Sequence, residues 1–162
     1  MKNGEKKNEV FIEETFNASA ERVFEAWTDP EKLIKWFAPE GCTIHFKKIN
    51  IETGGEFHSC ISNPQYGDCW CIGKYKEVVR NSKIVFTMIN ADEKGNPINP
   101  VEIGMDPEWP GETLVTITIT EQNGKTKLQL LQTVSQELAE RTGAYPSWLQ
   151  MLNNMRNLLN NG

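Results

Sequence analysis

The last segment of the chain constrains the fold more than any other. From Pro146 to Leu159 the apolar residues Trp148, Met151, Leu152, Met155, Leu158 and Leu159 recur at spacings of three and four, which places them on one stripe of a helix. Pro146 suits the first turn, where a missing N–H costs nothing. This helix follows a long run of strand-like sequence. A large, Met-rich stripe of this kind either seals a curved sheet completely or leaves a cavity between helix and sheet. The first outcome is a plain globular domain; the second is a small-molecule binder.

The sequence upstream predicts what the helix packs on. Val10 to Asn17 reads as a first strand. Ser19 is an N-cap for a short helix over 20–28 that carries Val23, Phe24 and Trp27 on one face. Asp29-Pro30 opens a second short helix with Leu33, Ile34, Trp36 and Phe37 as its apolar face, ended by Pro39-Glu40-Gly41. Strand patterns follow over 43–51, 56–62, 69–79, 83–90, 113–120 and 126–133. They are broken by Gly54-Gly55, by Asn63-Pro64-Gln65-Tyr66-Gly67 and by a hairpin turn around Asn123-Gly124. In the strand over 69–79, Cys69, Cys71, Gly73, Tyr75 and Glu77 point one way, and Trp70, Ile72, Lys74, Lys76 and Val78 the other. Residues 91–112 have no period and hold several prolines, so they read as a long loop. Ile103, Met105 and Trp109 indicate that it packs onto the body. Residues 135–143 form a short helical lead-in. Strand, two short helices, six or seven antiparallel strands and a closing helix make an α+β layer structure.

Charge and composition narrow the function. The 162 residues carry a formal charge of -5, which argues against a nucleic-acid surface. No apolar run reaches the length of a membrane helix, and the start MKNGEKKNEV has no hydrophobic region behind its lysines. The expectation is a cytoplasmic protein, with residues 1–8 a disordered tail and 9–162 one domain. Cys42, Cys60, Cys69 and Cys71 lack zinc-site spacing: Cys69-Trp70-Cys71 has one intervening residue, which sets the two thiols on one strand face roughly 7 Å apart. Free thiols are expected. There is no phosphate loop and no His-Glu-x-x-His motif, so no metal or nucleotide cofactor is expected.

The stretch from Phe16 to Pro30, FNASAERVFEAWTDP, followed by Leu33 and Trp36-Phe37, resembles the opening of the Hsp90-ATPase-activator-homologue-like domains. These belong to the START-like, helix-grip (SRPBCC) superfamily, which includes polyketide cyclases and the major birch pollen allergen group. Gly54-Gly55-Glu56-Phe57, the Gly73–Val78 and Lys83–Thr87 strand pair, Glu108-Trp109-Pro110 and Leu114–Ile117 match later motifs in the same order. The resemblance covers roughly residues 9–160. It implies a curved antiparallel sheet gripping the C-terminal helix, with a cavity between them. It also implies binding of a hydrophobic or amphipathic small molecule, with cyclase or hydratase chemistry in some members. The chaperone activators of the family carry an additional domain that this sequence does not contain. Fold alone does not choose among these roles.

The expected cavity wall consists of Trp36, Phe37, His58, Trp70, Tyr75, Met88, Trp109, Trp148, Met151, Leu152 and Met155, aromatic and Met side chains that give a ligand an adaptable apolar surface. Trp148 lies on the gripping helix and Trp109 in the irregular loop, where it lids the mouth. A one-residue change of strand facing near the glycine pair turns His58 and Trp70 outward. An enzymatic reading needs a polar pair in the cavity: His58 with Glu56, with Tyr75 as donor to an enolate oxygen, or Cys60 with His58. Nothing in the sequence supplies an orienting residue or an oxyanion hole for that last pair. The leading reading is a ligand binder, monomeric or homodimeric. A protein-interaction module, with a chaperone as partner, and a weak cyclase, hydratase or hydrolase are the alternatives.

Overall fold

The computed structural model describes residues 8–161, so the tail expected over 1–8 lies outside the described residues except for its last position. The elements are β1 (Val10–Phe16), α1 (Ala20–Thr28), α2 (Pro30–Trp36), β2 (Thr43–Ile49), β3 (Glu56–Asn63), β4 (Gly67–Val79), β5 (Lys83–Ala91), β6 (Glu112–Gln122), β7 (Lys125–Gln132), α3 (Gln136–Thr142) and α4 (Ala144–Asn161). The strands form one curved seven-stranded sheet in the order β1-β7-β6-β5-β4-β3-β2, with every pair antiparallel. β1 and β2 are adjacent strands in the chain but occupy opposite edges. The connection between them, α1 and α2, therefore crosses from one edge of the sheet to the other.

Local chemistry sets the helix ends. Ser19 Oγ accepts from Arg22 N at 3.2 Å and starts α1. Asp29 serves two helices. Its N–H bonds Glu25 O at 2.9 Å and closes α1, while its carboxylate accepts from Glu31 N at 3.0 Å and opens α2, with Pro30 in the first turn. Leu33 and Trp36 are buried, but Ile34 is 48% exposed, which corrects its expected place on the apolar face. At 100° per residue it stands a quarter-turn from Leu33 and off the stripe shared with Trp36 and Phe37.

The β6–β7 hairpin turns at Asn123-Gly124, with φ of 56° and 79°, the positive pair that suits the twist of the flanking strands. The long segment after β5 contains one 3-10 turn, Pro100–Ile103. Met105 and Trp109 are half-buried, and Trp109 packs on the core. Ile103 is exposed, contrary to expectation. Arg141 of α3 ties this segment down by bonding Asp106 Oδ2 at 3.1 Å and Glu108 Oε1 at 3.3 Å. The backbone N–H of Glu108, followed by the Arg141 guanidinium, holds the Asp106 carboxyl below its usual range.

The closing helix begins at Ala144, two residues before Pro146, and Trp148, Met151, Leu152, Met155 and Leu159 are buried as the stripe predicts. Polar ties place it. Asn154 Nδ2 donates to Ala38 O at 3.1 Å, and Gln150 Oε1 accepts from Glu40 N at 2.9 Å. Arg156 donates to Thr15 O at 2.9 Å and lies over the Phe16 ring. The helix thus grips β1 at its far end and the segment after α2 at its near end.

Candidate ligand cavity

Three glycines shape the cavity. Gly54 adopts φ +90°, and its N–H donates to Tyr75 O at 2.7 Å; Gly55 O accepts from Tyr75 N at 2.8 Å. A Cβ on Gly55 would lie 2.0 Å from Asn50 O, so only glycine closes this turn. The pair fixes the backbone of Tyr75 where β4 shifts register against β5, between Tyr75 and Glu77. Gly73 acts differently. A Cβ there would lie 2.3 Å from Phe57 Cε2 and 2.0 Å from Thr87 O, so the bare glycine lets the Phe57 ring lie across the strand.

The cavity that results, about 40 Å³, lies between α1–α2 and strands β2 to β5. Trp27, Leu33 and Phe37 form the helical wall; Phe46, Phe57, Ser59 and Ile61 come from β2 and β3; Cys71, Tyr75, Phe86 and Met88 come from β4 and β5. Aromatic contacts brace it. Trp27 meets Trp36 edge-on with centroids 4.7 Å apart and Phe37 at 6.0 Å, and Phe57, Tyr75 and Phe86 form a triangle of 5.7, 5.7 and 6.2 Å.

Its polar groups are few. Ser59 Oγ donates to Cys71 O at 3.4 Å. Burial pushes the Cys71 thiol up to about 12 and the Tyr75 phenol above its ordinary range, so both keep their protons at neutral pH. The lining contains no carboxylate and no imidazole. Cys71 Sγ also donates to a backbone carbonyl of β4, that of Ile72 at 3.6 Å, so the lining is almost wholly apolar.

The expected site residues divide among three places. Phe37, Tyr75 and Met88 line this cavity. Trp36, Trp148, Met151, Leu152 and Met155 are buried in the core beside it, with Trp109 half-buried against that core. Trp36 Nε1 donates to Ala26 O at 2.8 Å and Trp148 Nε1 to Gln132 Oε1 at 2.8 Å, so both indoles are committed to the protein. No residue of α4 is part of the lining, and the space lies under α1 and α2 instead of under the closing helix.

His58 and Trp70 are on the opposite face of the sheet. His58 Nε2 donates to Asp92 O at 3.1 Å, and its ring lies 5.1 Å from that of Trp70. Trp70 also meets His45 at 5.6 Å and carries Lys47 Nζ 5.1 Å above its ring. His58 and Glu56 do share a groove, with Lys48, Lys74 and Lys94, but it is open and lies on this outer face. Cys60 is fully buried, its Sγ 3.5 Å from Ser62 Oγ. The turn over 92–96 that covers His58 is held by the Asp92 carboxylate. That carboxylate accepts from the backbone of Asn96 and Lys94, which keeps it below its usual range.

Trp27, Phe46, Phe57, Ile61 and Phe86 were not among the expected wall residues. Strand parity identifies most of them: Phe86 is two residues from Met88, and Phe57, Ser59 and Ile61 alternate along one face.

Compared with known proteins, the sequence pattern of the family described as "Activator of Hsp90 ATPase homolog 1-like protein" matches residues 17–160. The chain belongs to that family. A solution structure of a Staphylococcus epidermidis protein is 27% identical, covering 99% of this chain and 94% of that one, with a TM-score of 0.79. A solution structure from Arthrobacter aurescens is 18% identical over 96% of this chain and 87% of that one, with a TM-score of 0.82. A crystal structure from Silicibacter pomeroyi, itself named for the same family, is 19% identical over 93% and 96%, with a TM-score of 0.74. These likenesses establish the helix-grip fold. None of the curated proteins compared with the chain matches it significantly. No helix among the described residues is long and apolar enough to cross a membrane.

Proposed function

We propose that this family member binds a small apolar or amphipathic molecule in the cavity between α1–α2 and β2–β5. The observation that carries the reading is the lining itself, aromatic and aliphatic side chains from six elements with Ser59, Cys71 and Tyr75 as the polar exceptions. At about 40 Å³ the space is smaller than the roughly 150 Å³ apolar cavity that takes up benzene. Ligand entry therefore requires a wall to move. Phe37 and Met88, with Phe46, Ile61 and Cys71, are the half-buried parts of the lining. Phe37 follows the last turn of α2 at φ -86° and ψ 57°, outside the helix, and Met88 is unbranched. Rotation of these two side chains opens the cavity without moving the sheet.

The test is NMR of protein labelled at the methionine methyl carbons, titrated with ethylbenzene. A saturable shift of the Met88 methyl, with Met151 and Met155 unmoved, is the expected result. Shifts at Met151 and Met155 with Met88 unmoved return the site to the face of α4. A flat titration at every methionine removes the reading.

A further inference from the structure

One residue of the cavity wall carries a donor without an acceptor. Trp27 is 3% exposed and lines the cavity, and its Nε1 is fully buried with no hydrogen-bond partner among the described residues. Its neighbour in the core, Trp36, shows the usual arrangement, an indole N–H satisfied by Ala26 O at 2.8 Å. A buried donor left open loses the free energy of its water contacts, and native proteins rarely leave one without a reason. The indole N–H can only donate, so whatever satisfies it brings an acceptor. No Lys, Arg or His lines the cavity, so a charged acceptor would enter without a counter-ion, which burial penalises heavily.

We infer that the ligand of this cavity is an uncharged aromatic or short aliphatic molecule carrying one acceptor oxygen, a ketone, aldehyde, ester or ether, which Trp27 Nε1 engages. The inference rests on the binding reading above and adds the chemistry of the polar end. Tyr75, in the same wall, carries a second donor, its phenol hydroxyl. An acceptor oxygen with two lone pairs accommodates both.

Three probes of similar outline test it: ethylbenzene, acetophenone and benzoate. In wild-type protein the Trp27 indole N–H resonance is expected to move downfield with acetophenone and to stay in place with ethylbenzene, while benzoate does not bind. In Trp27→Phe the affinity for acetophenone relative to ethylbenzene is expected to fall about fivefold, the size of one net hydrogen bond. Should Trp27→Phe fail to fold, the wild-type indole resonance still decides. Equal indole responses to ethylbenzene and acetophenone, with an unchanged affinity ratio in the variant, overturn the inference and leave the Trp36 ring or a lone water as the partner of the N–H. That outcome keeps the apolar site. Benzoate binding that shifts the Trp27 resonance overturns the neutral-ligand assignment. Failure of all three probes to bind overturns the binding reading and the inference together.

Discussion

The ring of Trp148 stands edge-on to that of Phe37, centroids 5.7 Å apart and planes at 78°. Through this contact the closing helix supports a wall of the cavity that it does not itself line. Trp148 is held in turn by its bond to Gln132 Oε1, and Gln132 Nε2 donates to Thr113 Oγ1 at 3.2 Å, all inside the core. Removing the indole N–H strands a buried amide oxygen. Trp148→Phe should therefore cost at least about 1–3 kcal/mol, and Trp148→Ala about 3–5 kcal/mol. Chemical denaturation measures both. A double-mutant cycle of Trp148→Phe with Gln132→Leu should show a coupling of about 0.5–3 kcal/mol. Additive losses would mean that the 2.8 Å bond contributes nothing of its own.

Phe37 itself separates binding from packing. Phe37→Ala should destabilise the free protein, at most about 3 kcal/mol because the ring is half-buried. It should also enlarge the cavity, so that ethylbenzene binds more tightly than to wild type and saturating probe restores part of the lost stability. Calorimetric melts with and without ethylbenzene read both effects. Weaker binding in Phe37→Ala would identify the ring as a contact surface instead of a movable wall.

Gly73 gives the sharpest steric test. Gly73→Ala sets a methyl against the Phe57 ring and the Thr87 carbonyl at once. The ring can retreat toward the cavity, but the carbonyl belongs to the β5 backbone. The variant should lose about 1–3 kcal/mol, and adding Phe57→Leu should recover only part of it. Full recovery in the double variant, read from denaturation midpoints, would show that the backbone contact relaxes freely.

The elements with strong local chemistry were legible in the sequence. The Asp29-Pro30 junction, the Asn123-Gly124 hairpin and the α4 stripe each follow from a side chain's local geometry, and the structure shows all three. The cavity was not legible to the same degree, for two physical reasons. A large apolar stripe is compatible with a filled or an empty interior, and in this chain Trp148 uses its N–H on Gln132 and fills the space. Strand facing was the second obstacle. Trp70 and Tyr75 are an odd number of residues apart, so one regular strand cannot send both to the cavity. His58 alternates with Phe57, and the ring that occupies the cavity is Phe57. Trp27 was legible only as a core residue of α1; nothing in the sequence reveals that its N–H finds no acceptor.

Burial of two protonated acids gives the fold an alkaline limit. Cys71 has an ordinary value of 9.0 and is raised to about 12 in the folded protein, and the Tyr75 phenol is raised from its ordinary 10.0 by burial. The folded state therefore holds protons that the unfolded chain releases above pH 9. With fewer protons bound in the unfolded state, stability falls as pH rises. The contribution of Cys71 is complete below about pH 9 and is lost progressively toward pH 12. Denaturation midpoints measured from pH 7 to 11 should be level at first and then decline. Cys71→Ala and Tyr75→Phe should each flatten the decline, and the double variant should flatten it more. Bound acetophenone accepting from Tyr75 should steepen it, because loss of the phenol proton then also breaks a ligand contact. A decline of the same slope in wild type and in both single variants would place the alkaline sensitivity elsewhere and show that neither group changes its proton affinity on folding.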